Sequence, residues 1–285
     1  NANCATWIRD IIDKGVGGQL KAWATGQDSG QTHRQHVMRH TVASPWIDWV
    51  LNFLQSGNID HPTSVWEAMF LPEVLEEALL DFSYTGIDGQ VHSMVVGTTT
   101  YNTAPVDRRP PVLDSWRSMT LVGLLFGSLL ALATLAARIL AFQSQGNVMQ
   151  GLGYTVYGVL NLIWSFSLAL LSLVLTFMMF FSSHDVTYGN ENLLFVNPYL
   201  AVLAIQSISM LAGKKRVKVH FQRGNTVLAA ATILYVLVKL IFPNVLVQQN
   251  WQIIWTVLPL YVANSTVPLA SLLQRKHITR PRVPT

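Results

Sequence analysis

Between Arg117 and Arg138 the chain runs for 20 residues without a charged side chain, and most of them are Leu, Ala, Val, Gly or Phe. In hydrocarbon every backbone amide must find its partner within the segment, so such a run can cross a bilayer only as a helix. At about 1.5 Å per residue its length suits a hydrocarbon core ~30 Å thick. Four further stretches meet the same test. Leu152 to Phe181 is long enough to tilt or to begin in the interface. A third span follows Pro198 and ends near Gly213, and a fourth covers Thr226–Phe242. A fifth covers Ile253–Leu273, with Pro259 and Pro268 expected to kink it. The reading is an all-α transmembrane bundle of about five helices over residues 118–274.

The charge distribution agrees. Of all residues 51% are hydrophobic and 12% charged, against about a quarter charged in soluble domains. Residues 1–117 hold 8 Lys/Arg against 13 Asp/Glu, whereas residues 118–285 hold 11 against 2. The basic excess therefore belongs to the membrane half. The soluble half is acidic, which argues against nucleic acid as a partner.

Lys214, Lys215, Arg216, Lys218 and Arg223 crowd the connection between the third and fourth spans. Arg275, Lys276, Arg280 and Arg282 fill the tail at 275–285. By the positive-inside rule both segments face the cytoplasm, which puts residues 1–117 outside. Lys239, near the outer end of the fourth span, is expected to snorkel to the surface. The chain opens on Asn1 with neither an initiator Met nor a signal peptide, so further residues are expected upstream.

The outer domain, residues 1–101, reads as α+β, and a Pro-containing linker at 102–117 joins it to the membrane half. Asn3 is a good N-cap, and Cys4, Trp7, Ile8, Ile11 and Ile12 fall on one helical face that ends at Gly15, Gly17 and Gly18. Further helices are expected over Gln31–His40, Trp46–Leu54 and Pro72–Asp81. Residues 82–101 alternate like a hairpin turning at Gly86–Gly89.

Cys4 is the only cysteine, so the domain has no internal disulfide. A thiol at a helix start is chemically suggestive, because unpaired amides and the positive dipole end favour thiolate over thiol. Thiolate is the nucleophile of acyl transfer. Spacing alone favours the simpler reading, a small apolar residue opening a buried stripe. A nucleophilic Cys needs a base, yet none of His33, His36, His40, His61, His92 or His184 sits in a pattern that nominates it. His33, His36 and His40 could share a helix face and hold a metal. With Arg34 and Arg39 interleaved, a solvated polar face is the simpler reading, and no metal is expected.

Asn3-Cys4-Ala5-Thr6 leading into Ile8-Arg9-Asp10 resembles the Asn-Cys motif of a bacterial envelope family related to permuted papain-like thiol enzymes, a family that includes a lipoprotein N-acyltransferase. Two further stretches are similar to it: Pro45-Trp46 through Asp60 to Met69-Phe70-Leu71-Pro72-Glu73, and His184-Asp185 through Asn190 and Asn192 to Asn197-Pro198. The resemblance implies that residues 1–101 are the C-terminal part of a permuted papain-like fold. It implies Cys4 as nucleophile with Asn3 and Arg9 in support, and a base His in a Gly-His motif upstream of Asn1. The implied reaction moves an acyl chain from phospholipid through a Cys thioester to the N-terminal amine of a lipoprotein, without a cofactor, at the outer face of a bacterial inner membrane. His184, Asp185, Asn190, Asn192 and Asn197 are candidates for headgroup binding, in a loop expected to line the lipid's access path. A thiol peptidase or amidase, or a non-enzymatic assembly subunit, would use the same residues differently.

Overall fold

A computed structural model describes residues 3–41, 44–101, 115–144, 146–212 and 216–266. Most of the expected linker, the basic residues Lys214 and Lys215, Pro268 and the C-terminal tail lie outside them. The protein is mostly helical, with two small sheets, and divides into two compact units. The first comprises Asn1–Trp116 together with Asp185–Gly189, and the second comprises Arg117–His184 and Asn190–Thr285.

The first unit opens with α1, Cys4–Gly15, under a reciprocal capping box. The Asn3 side chain accepts from the Thr6 amide at 2.9 Å, and the Thr6 hydroxyl oxygen accepts from the Asn3 amide at 2.8 Å. Two of the four orphan amides of the helix start are thereby resolved locally. Gly17 and Gly18, with φ of 68° and 85°, turn the chain directly into α2, Gln19–Thr25.

The strand β1, Asp28–Thr32, pairs antiparallel with β2, Pro62–Ser64, and leads into α3, His33–Thr41. Then follow α4, Pro45–Leu54, α5, Val65–Ala68, and α6, Pro72–Asp81, with Pro45 and Pro72 at helix starts, where a missing N–H costs nothing. A hairpin of β3, Ser83–Thr85, and β4, Val91–Ser93, closes the unit. Leu20, Ala24, Met69, Leu75, Ala78 and Phe82 form a core on which α1 rests through Ala5 and Ile12.

Two expectations fail here. The apolar face of α1 is not buried: Trp7 is 65% exposed, Ile8 52% and Ile11 65%, because the helix packs through the neighbouring edge that carries Ala5 and Ile12. Nor is α3 a solvated polar face. Arg34 and His36 are buried, and Arg34 is a hub. Its Nε and one terminal nitrogen donate to the two oxygens of Asp60 at 2.6 and 3.1 Å. Its other terminal nitrogen donates to the Asn52 side chain at 2.5 Å, and the nitrogen that reaches Asp60 also donates to the Ser56 carbonyl at 2.8 Å. A buried guanidinium is tolerable only with its donors engaged in this way.

The second unit contains α7, Ser115–Gln143, from Arg117 on, and α8, Asn147–Phe181, α9, Leu200–Leu211, α10, Val217–Ile241, and α11, Trp251–Asn264. Thr120–Gln143, Asn147–Phe181 and Val217–Ile241 are long and apolar enough to cross a membrane. The large side chains on their outer faces are hydrocarbon, among them Leu125, Leu129, Phe166, Phe177, Leu234 and Leu240. The polar residues Asn161, Ser165, Ser172, Asn225 and Thr232 face inward. This is the inverse of a soluble bundle and marks a membrane protein. With 12 and 14 residues, α9 and α11 reach only about 18–21 Å. Neither is long enough by itself to be a full span.

Glycine sets the closest helix contacts. A Cβ on Gly123 would lie 2.3 Å from the Gln252 carbonyl oxygen, and one on Gly127 would lie 2.5 Å from the Trp255 and Thr256 carbonyl oxygens. The Gly-x-x-x-Gly ridge of α7 therefore lies directly against the α11 backbone.

Lys239 does not snorkel. It is 6% exposed and donates to the carbonyls of Leu246 and Gln248 at 2.8 and 2.6 Å, with Glu191 at 3.7 Å. Carbonyls freed by the irregular segment after α10 and an inward-facing carboxylate give the ammonium a better partner set than the interface would.

Candidate functional site

Cys4 is the first residue of α1 and is exposed. It lines an apolar cavity of about 380 Å³ with Ala5, Ile8, Pro72, Leu75, Leu79 and Val95. Glu76 and Thr98 are the polar residues on its rim. The wall is built by two helix starts, because Pro72 opens α6 as Cys4 opens α1. The Asn3 Nδ2 donates to the Phe70 carbonyl at 2.8 Å, which ties the two starts together. Asn3 is thus fully used in holding the helix.

A second cavity, also about 380 Å³, is lined by Thr6, Arg9, His33, Asn58, His61, Thr63, Trp66, Glu67, Phe70 and Asp185. At about 100° per residue, Thr6 and Arg9 point away from Cys4 and Ile8, so the two cavities flank opposite faces of α1. Arg9 serves this wall. Its guanidinium lies 3.9 Å over the Trp66 ring, donates to the Trp66 carbonyl at 2.9 Å and pairs with Asp10 at 2.7 Å.

The histidines separate rather than converge. His33 stacks on Phe70 with ring centroids 4.4 Å apart. Burial, followed by the neighbouring His61, pushes its basicity below the ordinary imidazole range. His36 meets Phe70 edge-on, and its two ring nitrogens have no hydrogen-bond partner among the described residues. Burial lowers its pKa to about 4. His40 turns to the His36 carbonyl and to Glu73. The three rings thus make no common ligand set, and no imidazole among the described residues lines the Cys4 cavity.

The remaining candidates fall into two groups. Asp185 belongs to the first unit, where the segment it begins is held by the Ser56 amide on the Val186 carbonyl at 2.8 Å. Asn58 Nδ2 reaches the carbonyls of Asp185 and Tyr188 at 3.3 and 3.2 Å. His184 turns back on Ser182.

Asn190 and Asn192 lie in the second unit and are buried. Asn190 caps a short helical turn, Glu191–Leu194, and accepts from Gln248 at 3.2 Å. Asn192 accepts from Asn250 at 2.9 Å. Glu191 and Gln248 exchange amide contacts at 2.7 and 3.0 Å, and Tyr235 donates to Glu191. Asn197 accepts from the Tyr199 amide at 3.1 Å and so opens the turn before α9. Phe195 and Val196 are buried, leaving Leu194 as the exposed apolar residue of this segment. Asn190 and Asn192 therefore spend their side chains inside the protein, at membrane helices that require such satisfaction.

Sequence reading missed Asn58, His61, Trp66 and Glu67 as lining one cavity. They come from three short segments with no shared periodicity.

The fold and these cavities define a class, a membrane protein with a thiol-bearing helical unit. Compared with known proteins, the chain matches no family model, no curated protein and no solved structure.

Proposed function

We propose that the protein is a membrane-bound thiol acyltransferase. It would move a fatty acyl chain from phospholipid to the N-terminal amine of a lipoprotein through a thioester on Cys4. The observation that carries this reading is an exposed sulfur at a well-capped helix start, opening on an apolar cavity in a protein with membrane helices. A peptidase would need polar groups to hold a backbone, and that cavity has few.

In the first step a base takes the Cys4 proton, the thiolate attacks the ester carbonyl, the carbonyl–oxygen bond to the glycerol breaks as the thioester forms, and the lysophospholipid oxygen leaves with that proton from the base. In the second, the amine attacks the thioester, an amide forms, the amine loses a proton to a base and the thiolate returns. The base in this reading is a histidine of the Gly-His kind that the resemblance implies, within a permuted papain-like fold. In this reading α9 and α11 belong to the third and fifth crossings, residues 1–117 are periplasmic and the C-terminus is cytoplasmic at the inner membrane.

The test is Cys4→Ala beside the parent chain, both incubated with phospholipid. We expect a hydroxylamine-sensitive acyl adduct on Cys4, found by mass spectrometry, that Cys4→Ala abolishes. Unchanged lipoprotein modification with the Ala variant would instead favour an assembly subunit, the reading to which a Cys4 cavity without an imidazole lends weight.

A further inference from the structure

The second cavity is unused by this chemistry, and several of its groups are uncommitted. The Asp185 carboxylate, the His61 ring and Glu67 Oε1 have no hydrogen-bond or ion-pair partner among the described residues. The His33 ring stacks on Phe70 and has no hydrogen-bond partner among the described residues.

The charge facing the cavity is one-sided. Among the described residues Arg9 is the only Arg or Lys that lines it, and Asp10 already pairs with that guanidinium. This leaves the carboxylates of Asp185 and Glu67 in excess. Arg9 also covers one face of Trp66 and His33 covers one face of Phe70, so the aromatic faces that a quaternary ammonium would need are largely taken. What remains are acceptors on a wall that is part polar and part apolar: two carboxylates, two imidazoles and the Asn58 side-chain oxygen.

We propose that this cavity binds a primary ammonium group, with Asp185 as its principal counter-ion and Glu67 and the imidazoles as further acceptors. Three N–H donors suit this set, whereas a trimethylated head has none to give. The site lies on the face of α1 opposite Cys4 and holds its ligand without presenting it to the sulfur. It therefore does not depend on the acyltransferase reading. The ammonium could come from an aminolipid headgroup or from a peptide N-terminus.

The experiment uses the full chain in detergent, carrying Cys4→Ala so that no acyl transfer can occur. Binding is measured for short-chain phosphatidylethanolamine and its choline counterpart, and for an S-acylated cysteine dipeptide with a free or an acetylated amine. We expect the ethanolamine lipid, the free-amine dipeptide or both to bind, the choline and acetylated partners to bind about tenfold more weakly, and Asp185→Asn to erase the difference. Whichever free amine binds names the source. Equal binding within each pair, or no binding by any probe, overturns the proposal, as does full discrimination in Asp185→Asn. If Asp185→Asn does not fold, competition by methylamine but not tetramethylammonium on the parent chain supports the site, and equal competition overturns it.

Discussion

Asn3 holds one end of the candidate site through three contacts: the Thr6 amide, the Thr6 hydroxyl and the Phe70 carbonyl. Asn3→Ala removes the side-chain cap and the link to the α6 start together. We expect a loss of about 1–2 kcal/mol in the first unit, with Asn3→Asp keeping the cap and only part of the loss, as read from thermal unfolding. His36 offers a pH test. The unfolded chain protonates near the ordinary value of 6.5, and the folded unit only near 4. Its contribution is therefore complete above about pH 6.5 and drains as pH falls towards 4, on the order of 3 kcal/mol. Hydrogen exchange across residues 33–41 should quicken over that window, and His36→Leu should flatten the dependence. At this scale the N-cap and the start of α1 were legible, because capping is local. The burial of Arg34 and His36 was not, because their burial is created by Asn52, Ser56, Asp60 and Phe70. No spacing along α3 reports on those residues.

Between elements, the contact of α7 with α11 depends on two missing side chains. Gly123→Val or Gly127→Val must push α11 away, and we expect each to cost about 1–3 kcal/mol and to lower the folded fraction in detergent. Gly151→Ala in α8, where an added Cβ meets nothing within 4 Å, should be neutral or mildly stabilising. The Lys239–Glu191 pair makes a sharper case. Lys239→Met leaves a buried carboxylate without its cation and should cost about 3–5 kcal/mol, whereas Lys239→Met with Glu191→Gln should recover most of it. Stability in mixed detergent would show both. Among the elements, α6 and the β3–β4 hairpin were readable from Pro72 and the Gly86–Gly89 turn. By contrast, α2 has only seven residues between glycines, too few for periodicity, and β1 is polar throughout and pairs with a partner some thirty residues away. The third span was legible to within about two residues, between Pro198 and the residues before Lys214, whereas the fifth was expected to reach Leu273 and α11 ends at Asn264, with residues 267–273 outside the described ones.

Across the whole molecule the division of labour was visible in charge alone: an acidic first half, and a basic second half with long uncharged runs. What charge could not show is that the first unit is discontinuous in sequence. Asp185–Gly189 belongs to it, through Ser56 and Asn58, although α8 and α9 bracket that segment. The usual shortcut for a membrane protein, expressing the part without membrane helices as a soluble fragment, would therefore discard a piece of the part it meant to keep. A product ending at residue 116 would lose Asp185 from a cavity wall and leave Asn58 reaching for carbonyls that are no longer there. Grafting the five-residue peptide back through a designed loop is the remedy this architecture calls for.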